Sequence, residues 1–178
     1  MILNNLEFHN YISAHLRLLH YCYCKKNNLV EKLTFNKFVK KPFELKVEAR
    51  NYFIENISIL NEYFEYNKQI PESDKEILLG FNRKISSKFI ILKQLKNYAI
   101  FMDIISEKFY AVVALSDPLP IILDSLPVIV ETTILPFNNK IIYDGFLIRE
   151  MYIGRNMESN LLNQYREVKA KKMIIRMI

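Results

Sequence analysis

The chain has 178 residues, 51% of them hydrophobic and 13% aromatic, with a formal net charge of +6. That is the length of one domain, or of one domain with a helical extension, and it holds enough apolar material for a core, which argues against a disordered chain. No apolar run reaches the roughly 18–20 residues of a membrane helix, no secretory signal is legible at the start, and two cysteines only two positions apart point to a reduced, cytoplasmic setting.

A first helix is predicted from Ile2, Leu6, Ile12, Leu16, Leu19 and Tyr23, which recur at helical spacing, and the KKNN at 25–28 supplies its stop. Residues 29–42 are basic and aromatic with no clear period. A second helix is predicted over 44–66, with Val47, Phe53, Ile57, Leu60 and Phe64 as its apolar face. In QIPESDKEILLGF, Ser73 and Glu76 have the spacing of a capping box ahead of a third helix. From Lys88 the texture changes. KFIILKQL, NYAIFMDI and KFYAVVAL read as three consecutive antiparallel strands, rich in Phe, Ile, Val and Tyr. PLPIILDSLP, bracketed by prolines, is a short helix or packed crossover. PVIVETTILPF, KIIYDG and FLIREMYI form a second set of strands. Residues 156–172 read as a helix with Asn156 as its cap, and MIIRMI as one last strand. The predicted class is α+β: N-terminal helices over 1–79, then a domain over 80–178 with a mainly antiparallel β-sheet and a C-terminal helix.

Within ILPFNNKIIYDGFL, Asn138-Asn139 makes a two-residue turn, because asparagine tolerates the positive φ such turns require. That turn pairs Phe137 with Lys140, Leu135 with Ile142 and Thr133 with Asp144. Alternation then sends Val130, Thr132, Ile134, Ile141, Tyr143 and Leu147 to the core side. Glu131 and Asp144 fall on the other side, facing water, as diagonal neighbours with Lys140 partly neutralising them. Two adjacent carboxylates suit acid–base chemistry or a hard metal. No nucleophile, histidine or phosphate loop accompanies them, so turn formation is the stronger reading.

The same stretch carries a resemblance. The order RKISSKFIILKQLKNYAIFMD, KFYAVVALSDPL, LPVIVETTILPFNNKIIYDGFL and IGRNMESNLLNQYREVKAKKMI resembles an uncharacterised family of small bacterial proteins and domains. Its members carry an hLKxYxhF segment and an LPFxxKIIYDG segment. The resemblance spans about residues 80–178. It implies a domain boundary there and, with no activity known for the family, no mechanism.

All three histidines and both cysteines lie between His9 and Cys24. On one helix His20 and Cys24 are a turn apart and His9 shares their angle, so His9, His20 and Cys24 are candidate metal ligands. A second ligand pair is missing, and buried histidine and cysteine explain the pattern without metal. There is no Gly-rich phosphate loop, G-x-S-x-G elbow, H-E-x-x-H or paired C-x-x-C, and no cofactor is expected.

Charge is laid out in blocks: eight bases to three acids over 25–50, six acids to two bases over 51–79, and a basic end, seven to three, from Leu147. The leading expectation is a non-enzymatic intracellular binding module, in which the α+β domain recognises a protein partner. The helices then serve as an accessory or homo-oligomerising arm, with Phe35, Phe38 and Phe43 as partner residues. The alternative is a nucleic-acid-binding or regulatory protein. Lys37, Lys40, Lys41, Lys84, Lys88, Lys93 and Lys96 would then line one basic surface, with Phe35, Phe38 or Tyr98 stacking on bases. The third is a divalent-metal-dependent hydrolase or nuclease using Glu131 and Asp144. Most lysines are simply solvated surface residues, which weighs against the second reading.

Overall fold

The fold is taken from a computed structural model that describes residues 2–30 and 32–178. Helices come first, then a mixed but mostly antiparallel six-stranded sheet, then a last helix, as the α+β pattern predicts. The chain divides into two compact units, Met1–Phe8 with Arg83–Ile178, and His9–Asn82. Among the described residues no helix is long and apolar enough to cross a membrane.

The helical unit contains most of α1 (Asn5–Lys26), then α2 (Phe35–Val39), α3 (Phe43–Glu55), α4 (Ile59–Tyr66) and α5 (Glu72–Leu79). Its core is built on aromatics: Tyr11, Phe38, Phe53 and Phe81 are fully buried beside Leu18, Leu19, Leu60 and Leu78. The buried face of α1 is centred on Tyr11, His15, Leu18 and Cys22, whereas Leu6 is 71% exposed. Tyr11, His15, Leu18 and Cys22 recur at i, i+4, i+7 and i+11, a truer helical stripe than the larger aliphatics offer. The single helix expected over 44–66 is two, because Asn56 leaves the helical conformation (φ −126°, ψ 62°) and α4 restarts at Ile59. Ser73 caps nothing. Pro71 precedes α5 as its N-cap residue and Ser73 lies inside the first turn.

The second unit is a barrel. Its strands are β1 (Ile85–Gln94), β2 (Ala99–Asp103), β3 (Phe109–Val113), β4 (Val128–Phe137), β5 (Lys140–Tyr143) and β6 (Ile148–Tyr152). They run β1-β2-β3-β5-β4-β6, and a further β1–β4 pairing joins the ends of the first five. All ladders are antiparallel except β3–β5, where Val112 faces Ile141. Closing five strands in this order makes a Greek-key barrel. Strand β1 serves two ladders: Ile85 to Ile91 pair with β4, and Phe89 to Gln94 with β2, with a register slip between Ile91 and Lys93. Ladder partners share a face, so Phe89, Ile91, Phe101, Tyr110, Val112, Val130, Ile134 and Ile141 line the interior, each at most 3% exposed. Strand β6 continues the sheet past β4 as an edge, with its own slip between Ile129 and Val130.

Between β3 and β4, the proline-bracketed segment is a short helix, α6 (Leu119–Leu123). The last helix, α7 (Arg155–Ala170), covers the outer face of β1–β3. Leu161 and Tyr165 pack on Ile90, Leu92, Ile100, Met102 and Phe109. Gly154, not Asn156, is its N-cap residue, and Asn156 sits one residue into the helix. Lys172 ends α7 in the left-handed region (φ 56°), with Lys172 N–H on Lys169 O (3.1 Å) and Met173 N–H on Val168 O (3.0 Å). This reversal is a Schellman turn. It returns the chain to β3, where Ile175 accepts from Ala111 N–H and donates to Phe109 O at 2.8 Å each. The expected final strand is therefore a single parallel bridge, Ile175 with Tyr110.

Asn138 and Asn139 both adopt positive φ (46° and 58°), and Phe137 pairs with Lys140 and Leu135 with Ile142, as the two-residue turn requires. The hairpin is fastened from its tip. Lys140 Nζ donates to Glu7 Oε1 at 2.6 Å, so its partner is Glu7 rather than Glu131 or Asp144. Glu7 in turn closes a reciprocal cap at the start of α1: Asn4 N–H donates to Glu7 Oε2 (3.2 Å) and Glu7 N–H to Asn4 Oδ1 (2.9 Å).

Two outcomes are expected. Asn139→Gly, which suits positive φ better, raises stability by about 0.5 kcal/mol in urea denaturation. The Lys140 hydrogen bond holds the Glu7 carboxyl below its ordinary value of 4.5. A depressed acid contributes stability that is present above its unfolded pKa and lost as pH falls through the folded one. The urea midpoint should therefore drop below about pH 4.5, and Glu7→Gln should lose part of that dependence.

Candidate functional site

The paired-carboxylate site does not form. Glu131 is half-buried on the outer face, opposite Lys88 of β1 and Ile148 of β6. Asp144 does not face water beside it; it is fully buried. The reason is that β5 ends at Tyr143, so the pleat no longer dictates where Asp144 points. Its backbone still reaches Thr133 O (2.9 Å), but Gly145 takes φ 96° and the side chain folds back to accept the Phe146 N–H at 3.1 Å. This is an Asx-turn, a local use of the carboxylate. The Thr132 hydroxyl lies 2.6 Å from Phe146 O and 3.4 Å from Asp144 Oδ1, so the shorter contact takes its hydrogen.

A second buried carboxylate, absent from the sequence reading, is Asp103 at the end of β2. Asp103 accepts from Ser87 and Ser106, both at 2.6 Å, and from Ile105 N–H at 3.1 Å. Burial alone would raise its pKa, but these hydrogen bonds outweigh burial and hold the carboxyl below its ordinary value. Its sequence signal was the Asp103-x-x-Ser106 spacing at a strand end. Every one of these groups is satisfied internally, which makes them scaffold.

The histidine and cysteine candidates do not assemble either. Among the described residues no three His, Cys, Asp or Glu side chains stand together as a metal site. His20 Nε2 donates to Leu33 O at 2.7 Å, Cys24 Sγ approaches the same carbonyl at 4.0 Å, and His9 is exposed. Both cysteines are free and buried, and burial pushes the Cys22 thiol up to about 12, far from reactive. His20, Cys24 and Phe35 instead line a cleft of about 250 Å³ with Tyr21, Tyr63 and Tyr66. Of the aromatics expected at a partner surface, Phe43 is 54% exposed, Phe35 is half-buried and Phe38 is fully buried.

The lysine set splits. Lys37, Lys40 and Lys41 belong to the helical unit. Lys84 is half-buried, and Lys88 is paired with Glu150 at 2.8 Å. Lys93, Lys96 and Tyr98 do fall together, at the turn joining β1 and β2. There α7 and the tail add groups that sequence reasoning missed. Lys93 Nζ sits 4.9 Å over the Tyr165 ring, and the Arg176 guanidinium 5.2 Å over the Tyr98 ring. Arg176 also donates to the Tyr98 hydroxyl at 3.2 Å. Tyr98, Leu95, Val168 and Ile174 all pack on one apolar cluster with Tyr165. Exposed Lys169, Lys171 and Lys172 extend the charge along the end of α7, where Glu167 is the one acid from Arg166 to Arg176. A traceable signal existed: Leu161, Tyr165 and Val168 share one helical face, which turns the intervening bases outward.

No family model, curated protein or solved structure matches this chain. The topology itself is informative. Closed five-stranded Greek-key barrels include the oligonucleotide- and oligosaccharide-binding fold, whose ligands lie on strands 2–3 and the adjoining loops. Here α7 buries the outer face of β2 and β3, while Lys96 in the β1–β2 turn and Lys169, Lys171 and Lys172 at the end of α7 are exposed. Fold alone assigns no function.

Asp144→Ala is expected to cost about 2–3 kcal/mol, since it strands the Phe146 N–H, whereas Glu131→Ala should cost less than about 1 kcal/mol. Denaturant midpoints of the two variants would separate scaffold from surface; equal costs would contradict the assignment.

Proposed function

We propose that the barrel unit is a non-enzymatic binding module for single-stranded nucleic acid, with the β1–β2 turn and the end of α7 as its contact surface. The observation that carries this reading is the pair of cation–tyrosine stacks, Lys93 on Tyr165 and Arg176 on Tyr98. Strand binders combine a basic track for phosphates with aromatic and guanidinium planes for bases, and both are present at this margin. Lys96, Lys169, Lys171 and Lys172 supply further charge to the track. The interior carboxylates favour no catalytic role, because each is taken up by turns and hydroxyls.

The measurement is binding of a short labelled single strand by fluorescence anisotropy across a salt series. The logarithm of affinity should fall linearly with the logarithm of salt concentration, at about 0.7 per phosphate neutralised. Arg176→Ala should weaken binding and make that slope shallower by about the same 0.7. Binding indifferent to salt, or none, would sink the proposal.

A protein partner is a second reading, favoured by the aromatic cleft of about 250 Å³ in the helical unit. Replacement of the exposed Tyr66 by alanine should then release a partner that the wild-type protein retains.

A further inference from the structure

The Tyr165 hydroxyl is buried, its residue 3% exposed, and among the described residues it has no hydrogen-bond partner. Folded proteins rarely keep such a group, because a hydroxyl stripped of water and offered nothing in return destabilises the fold. Phenylalanine would fill the same space against Phe109 and the β1–β3 face without that penalty. Packing therefore accounts for the ring and leaves the oxygen unexplained.

Its surroundings are cationic. Lys93 lies over the ring, and Tyr98 with Arg176 stacked on it packs against the same cluster. Burial raises the Tyr165 pKa, Tyr98 raises it further and Arg176 pulls it back, which puts both groups within electrostatic reach of the oxygen. Lys93 reaches this position on a flexible four-carbon stem, so its ammonium is a cover that can swing away. What two cations and a neutral donor can share is an anionic oxygen.

We propose that the Tyr165 hydroxyl is a ligand donor, giving its hydrogen to a phosphate oxygen of the strand whose charge Lys93 and Arg176 neutralise. The inference rests on the nucleic-acid reading above. In that arrangement the Lys93 ammonium leaves the ring face for the phosphate, and the hydroxyl gains the partner it lacks among the described residues of the free protein. A neutral donor releases no counterion. Its contribution therefore shifts affinity at every salt concentration by the same factor, unlike that of a lysine.

The test uses the full chain as wild type, Tyr165→Phe and Lys93→Ala, with a labelled single-stranded oligonucleotide titrated at several salt concentrations. Tyr165→Phe should melt at the same or a higher temperature, bind about tenfold more weakly and keep the wild-type salt slope. Lys93→Ala should bind more weakly with a slope shallower by about 0.7. Wild-type affinity in Tyr165→Phe overturns the inference and leaves the broader reading standing. A lowered melting temperature in Tyr165→Phe also overturns it, since the oxygen would then have a partner in the free fold. Failure of the wild-type protein to bind removes the reading and the inference together.

Discussion

Pairing of β1 with β4 is the constraint on which the barrel depends. Without it, five strands form an open sheet with two long unpaired edges; with it, every strand of the circuit has a neighbour on each side. The demand falls on β1, which must reach two partners from one continuous segment. It does so by length, ten residues, and by a register slip after Ile91 that bends the strand around the interior. Phe89 sits where the two ladders overlap, its ring 6.0 Å from Phe101 and 6.1 Å from Tyr110. The interior is thus filled by aromatics at the point where curvature is set.

Closure also bears on how the buried carboxylates are held. These buried groups of the barrel unit are satisfied locally, as burial demands. Asp103 is held by two serines and a backbone amide, and Asp144 by the turn that follows it. Both carboxylates serve the ends of strands. Where α7 stops, the Schellman reversal delivers the tail, and Arg176 with it, to Tyr98 in the β1–β2 turn.

Much of this was legible in the residues. Six of the seven strand-like runs are the six strands, and the asparagine pair fixed the hairpin register because only positive φ was needed and asparagine supplies it. The face of Asp144 was not legible: alternation holds only while the strand lasts, and β5 ends one residue earlier. Nor was the stripe of α1, where tyrosine, histidine and cysteine are buried while Leu6 is exposed. Closure itself leaves no local trace, since Ile85 and Ile134 meet across nearly fifty positions. The tail was misread for a related reason. Its apolar run matches a strand, but among the described residues only Ile175 of that run bridges to a strand.

The edge strand β6 has a bearing on how the molecule behaves among its own copies. A row of unsatisfied amides on a half-apolar ribbon is where strand-to-strand polymerisation begins. Here that row is short, its ladder slips between Ile129 and Val130, and Arg149 and Glu150 stand along it, held by Asp124 and Lys88. Fibril growth by edge addition would have to accommodate both that slip and the charged side chains on a strand of five residues, so self-association is resisted at the edge of the sheet.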